Sequence, residues 1–275
     1  MSEIFGFDAF SHKEIAARVE TVGVAKARLP LIPMLMLSVL AGAFIGLGAL
    51  YFVIVKSDPS LGFAAKQVLG GVTFSLGLIL VVVAGAELFT GNNLLAMAWA
   101  DRKISTLELL RNWVIVCVGN FIGAAGLALL VFLSRHPDMN NGGIAQEYLR
   151  IAAAKVALPF WTAFFKGILC NVLVCMAVWM AFAGRSVIDK AVAIIFPISA
   201  FVAAGFEHSV ANMYLITLAM LLQNFDGMGV TTTTITWVGF FANLVPVILG
   251  NIIGGSILVG LVYHLIYSRG PGQGK

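Results

Sequence analysis

"GFEHSVAN" runs from Gly205 to Asn212, and "GAELFTGN" runs from Gly85 to Asn92. Both read G-x-E-x4-N. Each interrupts an apolar stretch, Gly70–Ala100 or Ala191–Leu222, that is too long for one clean membrane span. A spanning helix takes about 20 apolar residues. Ionisable groups in hydrocarbon are expensive and by default mark function. These two polar breaks therefore organise the reading of the whole chain.

Around them lie four more apolar regions: Met34–Val55, Trp113–Leu133, Phe160–Ala183 and Val238–Ile266. Hydrophobic residues make up 60% of the chain and charged residues 11%. A soluble domain is about half apolar and about a quarter charged. With a mean hydropathy of +0.98, a soluble protein is excluded and a polytopic membrane protein is expected.

A second pair of motifs follows the first. "GNFIGA" (Gly119–Ala124) falls in the third apolar region and "GNIIGG" (Gly250–Gly255) in the sixth. Gly205 follows Gly85 by 120 residues, and Gly250 follows Gly119 by 131. A longer connection before the sixth region, including "NFDGMGVTTTTITW", takes up the difference. Three spans is an odd number, so the second half enters the membrane from the opposite side. The expected fold is all-α: six transmembrane helices in two inverted three-helix repeats, with helices 2 and 5 broken. Residues 1–30 form an N-terminal cap, and 31–267 form the six-span domain. Repeat one covers 31–133, repeat two covers 159–267, and 268–275 are a tail. In such folds the working site lies near the midplane, at discontinuous helices where the repeats meet. Non-helical backbone survives at that depth only under protein or beside a water-filled cavity.

Basic residues set the orientation. Lys13, Arg18, Lys26, Arg28, Arg102, Lys103, Arg111, Arg185, Lys190, Arg269 and Lys275 fall on one side. Lys56, Lys66, Arg135, Arg150 and Lys155 fall on the other. Both termini are expected in the cytoplasm, with no cleavable signal peptide and a multi-pass protein of a bacterial-type inner membrane. The net charge of +4 follows from this bias and does not point to nucleic acid. Cys117, Cys170 and Cys175 all lie in apolar spans without ligand spacing, so they read as packing residues. The histidines at 12, 136, 208 and 264 are scattered, with no HExxH. No metal, cofactor or enzymatic activity is expected. His264 reads as interfacial.

Gly85 and Gly205 permit sharp departures from a helix. Glu87 and Glu207 have a structural job open to them, accepting exposed backbone N–H groups at a broken helix end. Asn120 and Asn251 read as bonding across helices or capping broken backbone. Glycines at helical spacing in the first, third and sixth spans, among them Gly42, Gly123 and Gly254, read as helix–helix contacts.

These segments resemble the formate/nitrite transporter family, channels for formate, nitrite and hydrosulfide. The resemblance rests on "FSLGLILVVVAGAELFTGN" (Phe74–Asn92), "RNW" with "GNFIGA", "KGILCNVLVCMAVWM" (Lys166–Met180), "FEHSVANM" (Phe206–Met213) and "NLVPVILGNIIGG" (Asn243–Gly255). It implies an aquaporin-like protomer and a homopentamer in which each protomer has its own pore. The twin NPA boxes of water and glycerol channels are absent. It also implies pore residues: Phe74 and Leu78, then Leu88, Phe89 and Thr90, then Phe201 and His208, with Asn171 and Lys155.

Physical chemistry gives those types a coherent role. Leu78 and Phe89 are expected to narrow the path on the cytoplasmic side, and Phe74 and Phe201 on the periplasmic side. Apolar constrictions gate by dewetting. His208 is expected between them, near Thr90 and Asn171, with Lys155 attracting anions from the outer vestibule. The imidazole either protonates the passing anion or stays neutral as a hydrogen-bond donor. Formate is the favoured substrate, with nitrite second and hydrosulfide third. Aligning the two breaks puts Leu88 opposite His208. That asymmetry marks the histidine, rather than the glutamate, as the group that meets substrate.

Overall fold

In the computed structural model, residues 9–225 and 234–268 are described. The predicted tail beyond 268 and the middle of the connection before the sixth apolar region lie outside them. Each half begins with a surface helix. In α1 (His12–Ala27), Ser11 accepts the Glu14 N–H while the Glu14 carboxylate accepts the Ser11 N–H, a reciprocal cap. Its underside buries Ile15, Ala16, Val19 and Gly23. Its counterpart α6 (Gly143–Val156) buries Ile144, Ala145, Tyr148 and Leu149.

Three apolar segments follow each surface helix. In the first half α2 (Leu31–Lys56) leads to α3 (Phe63–Ile79), which continues as a π-helical turn over Leu80–Gly85. Irregular backbone, a 3-10 turn at Gly91–Leu95 and α4 (Ala96–Ala100) come next, then α5 (Thr106–Leu133). In the second half α7 (Phe160–Ala183) leads to α8 (Val187–Ala203) and, after a break, α9 (Ser209–Phe225). The chain then runs through α10 (Trp237–Ile252), a π-helical stretch over Ile253–Leu261 and α11 (Val262–Ser268). Among the described residues every regular element is helical. Five helical segments of the described residues are long and apolar enough to cross a membrane: Leu31–Lys56, Phe63–Gly85, Thr106–Leu133, Phe160–Ala183 and Trp237–Tyr267. The apolar α9 is shorter.

Packing follows the same duplication. α2 packs on α3 and α5, as α7 packs on α8 and α10, and α3 meets α8 between the halves. A Cβ built on Gly123 would lie 1.9 Å from the Val39 carbonyl oxygen, and one on Gly254 would lie 2.3 Å from that of Ile168. Only glycine allows these backbone approaches.

The two breaks match bond for bond. Gly85 and Gly205 both take positive φ, +85° and +68°, where a side chain is strained. The Ala86 N–H donates five residues back to the Val81 carbonyl at 3.0 Å, and Phe206 does the same to Phe201 at 3.0 Å. The Glu87 N–H donates to Leu37 and the Glu207 N–H to Lys166. Asn120 accepts the Phe89 N–H and donates to the Ser38 and Glu87 carbonyls. Asn251 accepts the Ser209 N–H and donates to Gly167 and Glu207. Each asparagine thus both ties helices together and caps broken backbone, because a carboxamide offers donor and acceptor at once.

Candidate functional site

The breaks leave two buried carboxylates, and each has the same partners. Glu87 accepts the Lys26 ammonium at 2.9 Å and the Asn92 amide at 2.7 Å. Asn92 also donates to Asn112, whose own amide donates to the Lys26 carbonyl. Glu207 accepts Lys155 at 2.9 Å and Asn212 at 2.6 Å. Asn212 donates to Asn243, which donates to the Lys155 carbonyl. The carboxylates therefore meet lysine and asparagine side chains, and the exposed N–H groups expected for them go to Asn120 and Asn251. A buried charge needs such a partner. Lys26, Asn112 and Asn243 join the site residues named from the motifs. Asn112 and Asn243 each lie seven residues before a GN motif and share its offset of 131, whereas the signal for Lys26 is its offset of 129 to Lys155, which appears only once the surface helices are counted as part of the repeat.

Two cavities approach the breaks from opposite ends. One, of about 910 Å³, is lined by α1 residues including Arg18 and Lys26, and by Leu78, Glu87 and Leu88. The other, of about 240 Å³, is lined by Lys155, Lys166, Phe74, Phe201, Glu207 and His208. Phe74 and Leu78 are one turn apart on α3, about 6 Å along the axis. Between the cavities the side chains close up. Leu78, Leu88, Phe74 and Phe201 are all buried, and the Phe74 and Phe201 rings meet edge to face with centroids 5.7 Å apart.

At this septum Thr90 Oγ1 lies 3.0 Å from His208 Nε2, and both residues are buried. The ring stacks on Phe201, with centroids 5.8 Å apart. His208 Nδ1 accepts the Ala211 N–H at 3.1 Å in the first turn of α9. A backbone N–H can only donate, so Nδ1 carries a lone pair. The neutral ring then holds its proton on Nε2 and donates it to Thr90.

Asn171 sits one layer away. It donates to the carbonyls of Thr90 and Asn251 and to Asn93 Oδ1, so it fixes the loop that carries Thr90 and makes no hydrogen bond to the imidazole. Phe89 is buried in the core and lines neither of these two cavities, whereas Leu88 lines the larger one. His264, near the end of the last apolar segment, is covered by protein, with 8% of its surface exposed.

The family model for "Formate/nitrite transporter" matches residues 13–265. The chain is 38% identical to the formate channel FocA of Escherichia coli K12 over 274 residues, covering 96% of each protein. It is 36% identical to the formate channel BtFdhC of Bacillus thuringiensis over 94% of this chain and 95% of that protein. A solved pentameric formate channel with formate bound superposes with a TM-score of 0.79 at 34% identity, covering 87% of this chain and 98% of the other. An ion channel of the same family superposes at 0.81 and 31% identity, covering 94% and 99%. A duplicated break, a septum between two cavities and these matches along almost the whole length agree: the chain belongs to the formate/nitrite transporter family.

Proposed function

We propose that this protein is a membrane channel for small monovalent weak-acid anions, formate first and nitrite next. The observation that carries the reading is the Thr90–His208 bond among buried apolar side chains, with Leu78 lining one cavity and Phe74, one helical turn away on α3, lining the other. Six spans in two inverted repeats, with the second and fifth broken at Gly85 and Gly205, account for the duplicated geometry. The relatives' names support a homopentamer and formate as substrate. The bias of basic residues puts α1 and the large cavity in the cytoplasm.

Leu78 and Leu88 serve as the inner constriction, with Phe89 packed behind, and Phe74 and Phe201 serve as the outer one. A bare anion between them loses hydration without replacement, at a cost of several kcal/mol. His208 offers Nε2–H to the anion in place of Thr90. The bond at Nδ1 favours this neutral donor role. Charging the ring requires Nδ1 to release the Ala211 N–H and take a proton, after which the imidazolium can pass a proton to formate. Lys155 and Lys26 bias each vestibule toward anions while remaining paired to their glutamates.

Flux into liposomes tests the reading. Formate, nitrite and hydrosulfide are presented with and without a pH gradient. If none moves faster than through protein-free vesicles, the channel reading fails. His208→Phe in the same assay tests the ring, and a flux unchanged at every pH removes His208 from the pathway.

A further inference from the structure

The two breaks match bond for bond, but the cavities beside them carry different charge. The smaller cavity is lined by four cations, Lys56, Arg150, Lys155 and Lys166, and by one carboxylate, Glu207. Glu147 holds Arg150 through two bonds of 2.7 and 2.6 Å and also attracts Lys56. Lys56 bonds the neutral Gln67 and lies over the Phe52 ring. Glu207 belongs to Lys155. Lys166 is the one cation on this wall that no carboxylate or hydrogen-bond acceptor holds among the described residues.

The repeat shows that this charge is an addition. The Glu87 N–H donates to the Leu37 carbonyl and the Glu207 N–H to that of Lys166, so Lys166 stands where the first half has Leu37. Leu37 lines the larger cavity. A second difference lies beside it. Lys26 Nζ donates to Glu87 at 2.9 Å and to Asn92 Oδ1 at 3.0 Å. In the second half, Asn212 Oδ1 is buried without a partner, and among the described side chains Lys155 bonds Glu207 alone. An ammonium has three N–H donors. Lys155 therefore keeps two of them for the cavity that it lines, and Lys26 keeps one.

Size sharpens the contrast. A volume of about 240 Å³ is that of about eight waters at ~30 Å³ each. An anion in so small a space cannot stand far from either ammonium, and little water or salt comes between them. A cleft lined by one sign of charge concentrates the opposite ion. The larger cavity, at about 910 Å³, sets Glu14 and Glu87 among Arg18, Lys26 and Lys190 and has room for far more screening water.

We propose that Lys166, with the free N–H groups of Lys155, makes the smaller cavity a binding site for a small monovalent anion, and that the larger cavity has no counterpart. An ammonium is a point charge without the fork that selects shape. The site therefore takes formate and nitrite alike, and gives the two faces of the protein different affinities for the same anion. It rests on the channel reading, which puts the smaller cavity on the outer face.

The test measures formate and nitrite uptake into right-side-out and inside-out membrane vesicles that hold the full-length oligomer, at zero voltage and equal pH. A passive path then has the same low-concentration permeability in both directions. The half-saturating concentration is the quantity that reports the side. For the wild-type protein it should be lower from outside. Lys166→Leu, which installs the side chain of the first half, should raise the outside value at least about threefold for both anions and leave the inside value unchanged. Lys166→Arg should keep both values. Misfolding lowers the number of working pores, not their half-saturating concentration. An outside value unchanged by Lys166→Leu overturns the site, as does an equal rise on both faces, a rise for one anion only, or a wild-type outside value no lower than the inside one. Absence of flux through the wild-type protein overturns the channel reading itself, so the two failures are told apart.

Discussion

Lys155 Nζ and Glu207 Oε1 lie 2.9 Å apart as a buried ion pair, and the lysine side chain is only 15% exposed. Glu207→Gln strands an ammonium in that space. Removing one partner of a buried pair costs about 3–5 kcal/mol. Thermal unfolding of the purified oligomer should show a large loss for Glu207→Gln and for Lys155→Met. The double variant should lose much less than the sum of the two, since it leaves no unpaired charge. Additive losses would dissolve the pair.

Thr90→Val keeps the shape of the side chain and deletes the acceptor of His208 Nε2–H. An unpaired buried donor costs about 1–3 kcal/mol. The oligomer should survive on size exclusion while formate flux changes, whereas Thr90→Ser should keep wild-type flux. Flux equal in all three proteins would remove Thr90 from the pathway.

Gly123→Ala drives a methyl into the Val39 carbonyl, 1.9 Å away. Gly126, three residues on in the same helix, has nothing within 4 Å of its built Cβ. Expression and thermal stability should collapse for Gly123→Ala. Gly126→Ala should be neutral or gain up to about 1 kcal/mol from helix propensity. Equal behaviour of the two would refute the close contact.

Hydrogen bonds from the Ser11 backbone and hydroxyl hold the Glu14 carboxyl below its ordinary pKa. A group whose folded pKa is depressed stabilises above the unfolded value, about 4.3, and loses that contribution as pH falls through the folded one. Protection factors at the start of α1, taken relative to the intrinsic exchange rate at each pH, should therefore be steady from pH 8 to about 5 and fall below about 4. Glu14→Gln should flatten that fall. Protection that instead changes between pH 8 and 6 would point to another group.

How much of this was legible beforehand depended on the kind of signal. The breaks were readable because Gly85 and Gly205 must adopt positive φ, and because G-x-E-x4-N recurs at matching places. Asn120 and Asn251 were readable from the second motif pair. Lys155 was named only through the family resemblance, and Lys26 was not named at all: it lies in a surface helix that composition sets outside the spans, and nothing local marks its ammonium as Glu87's partner. The tautomer of His208 depends on a backbone N–H three residues away, which needs the cap geometry of α9.

The septum defined by Phe74 and Leu78 also has an electrical meaning. If water fills both cavities, most of a membrane voltage drops across the one helical turn between them. A charge crossing the whole voltage exchanges about 2.3 kcal/mol per 100 mV, here within about 6 Å. A passing anion would draw current and follow voltage steeply. A neutral acid would cross the same turn with no current at all, so simultaneous recording of tracer flux and current reads out which species leaves the His208 ring.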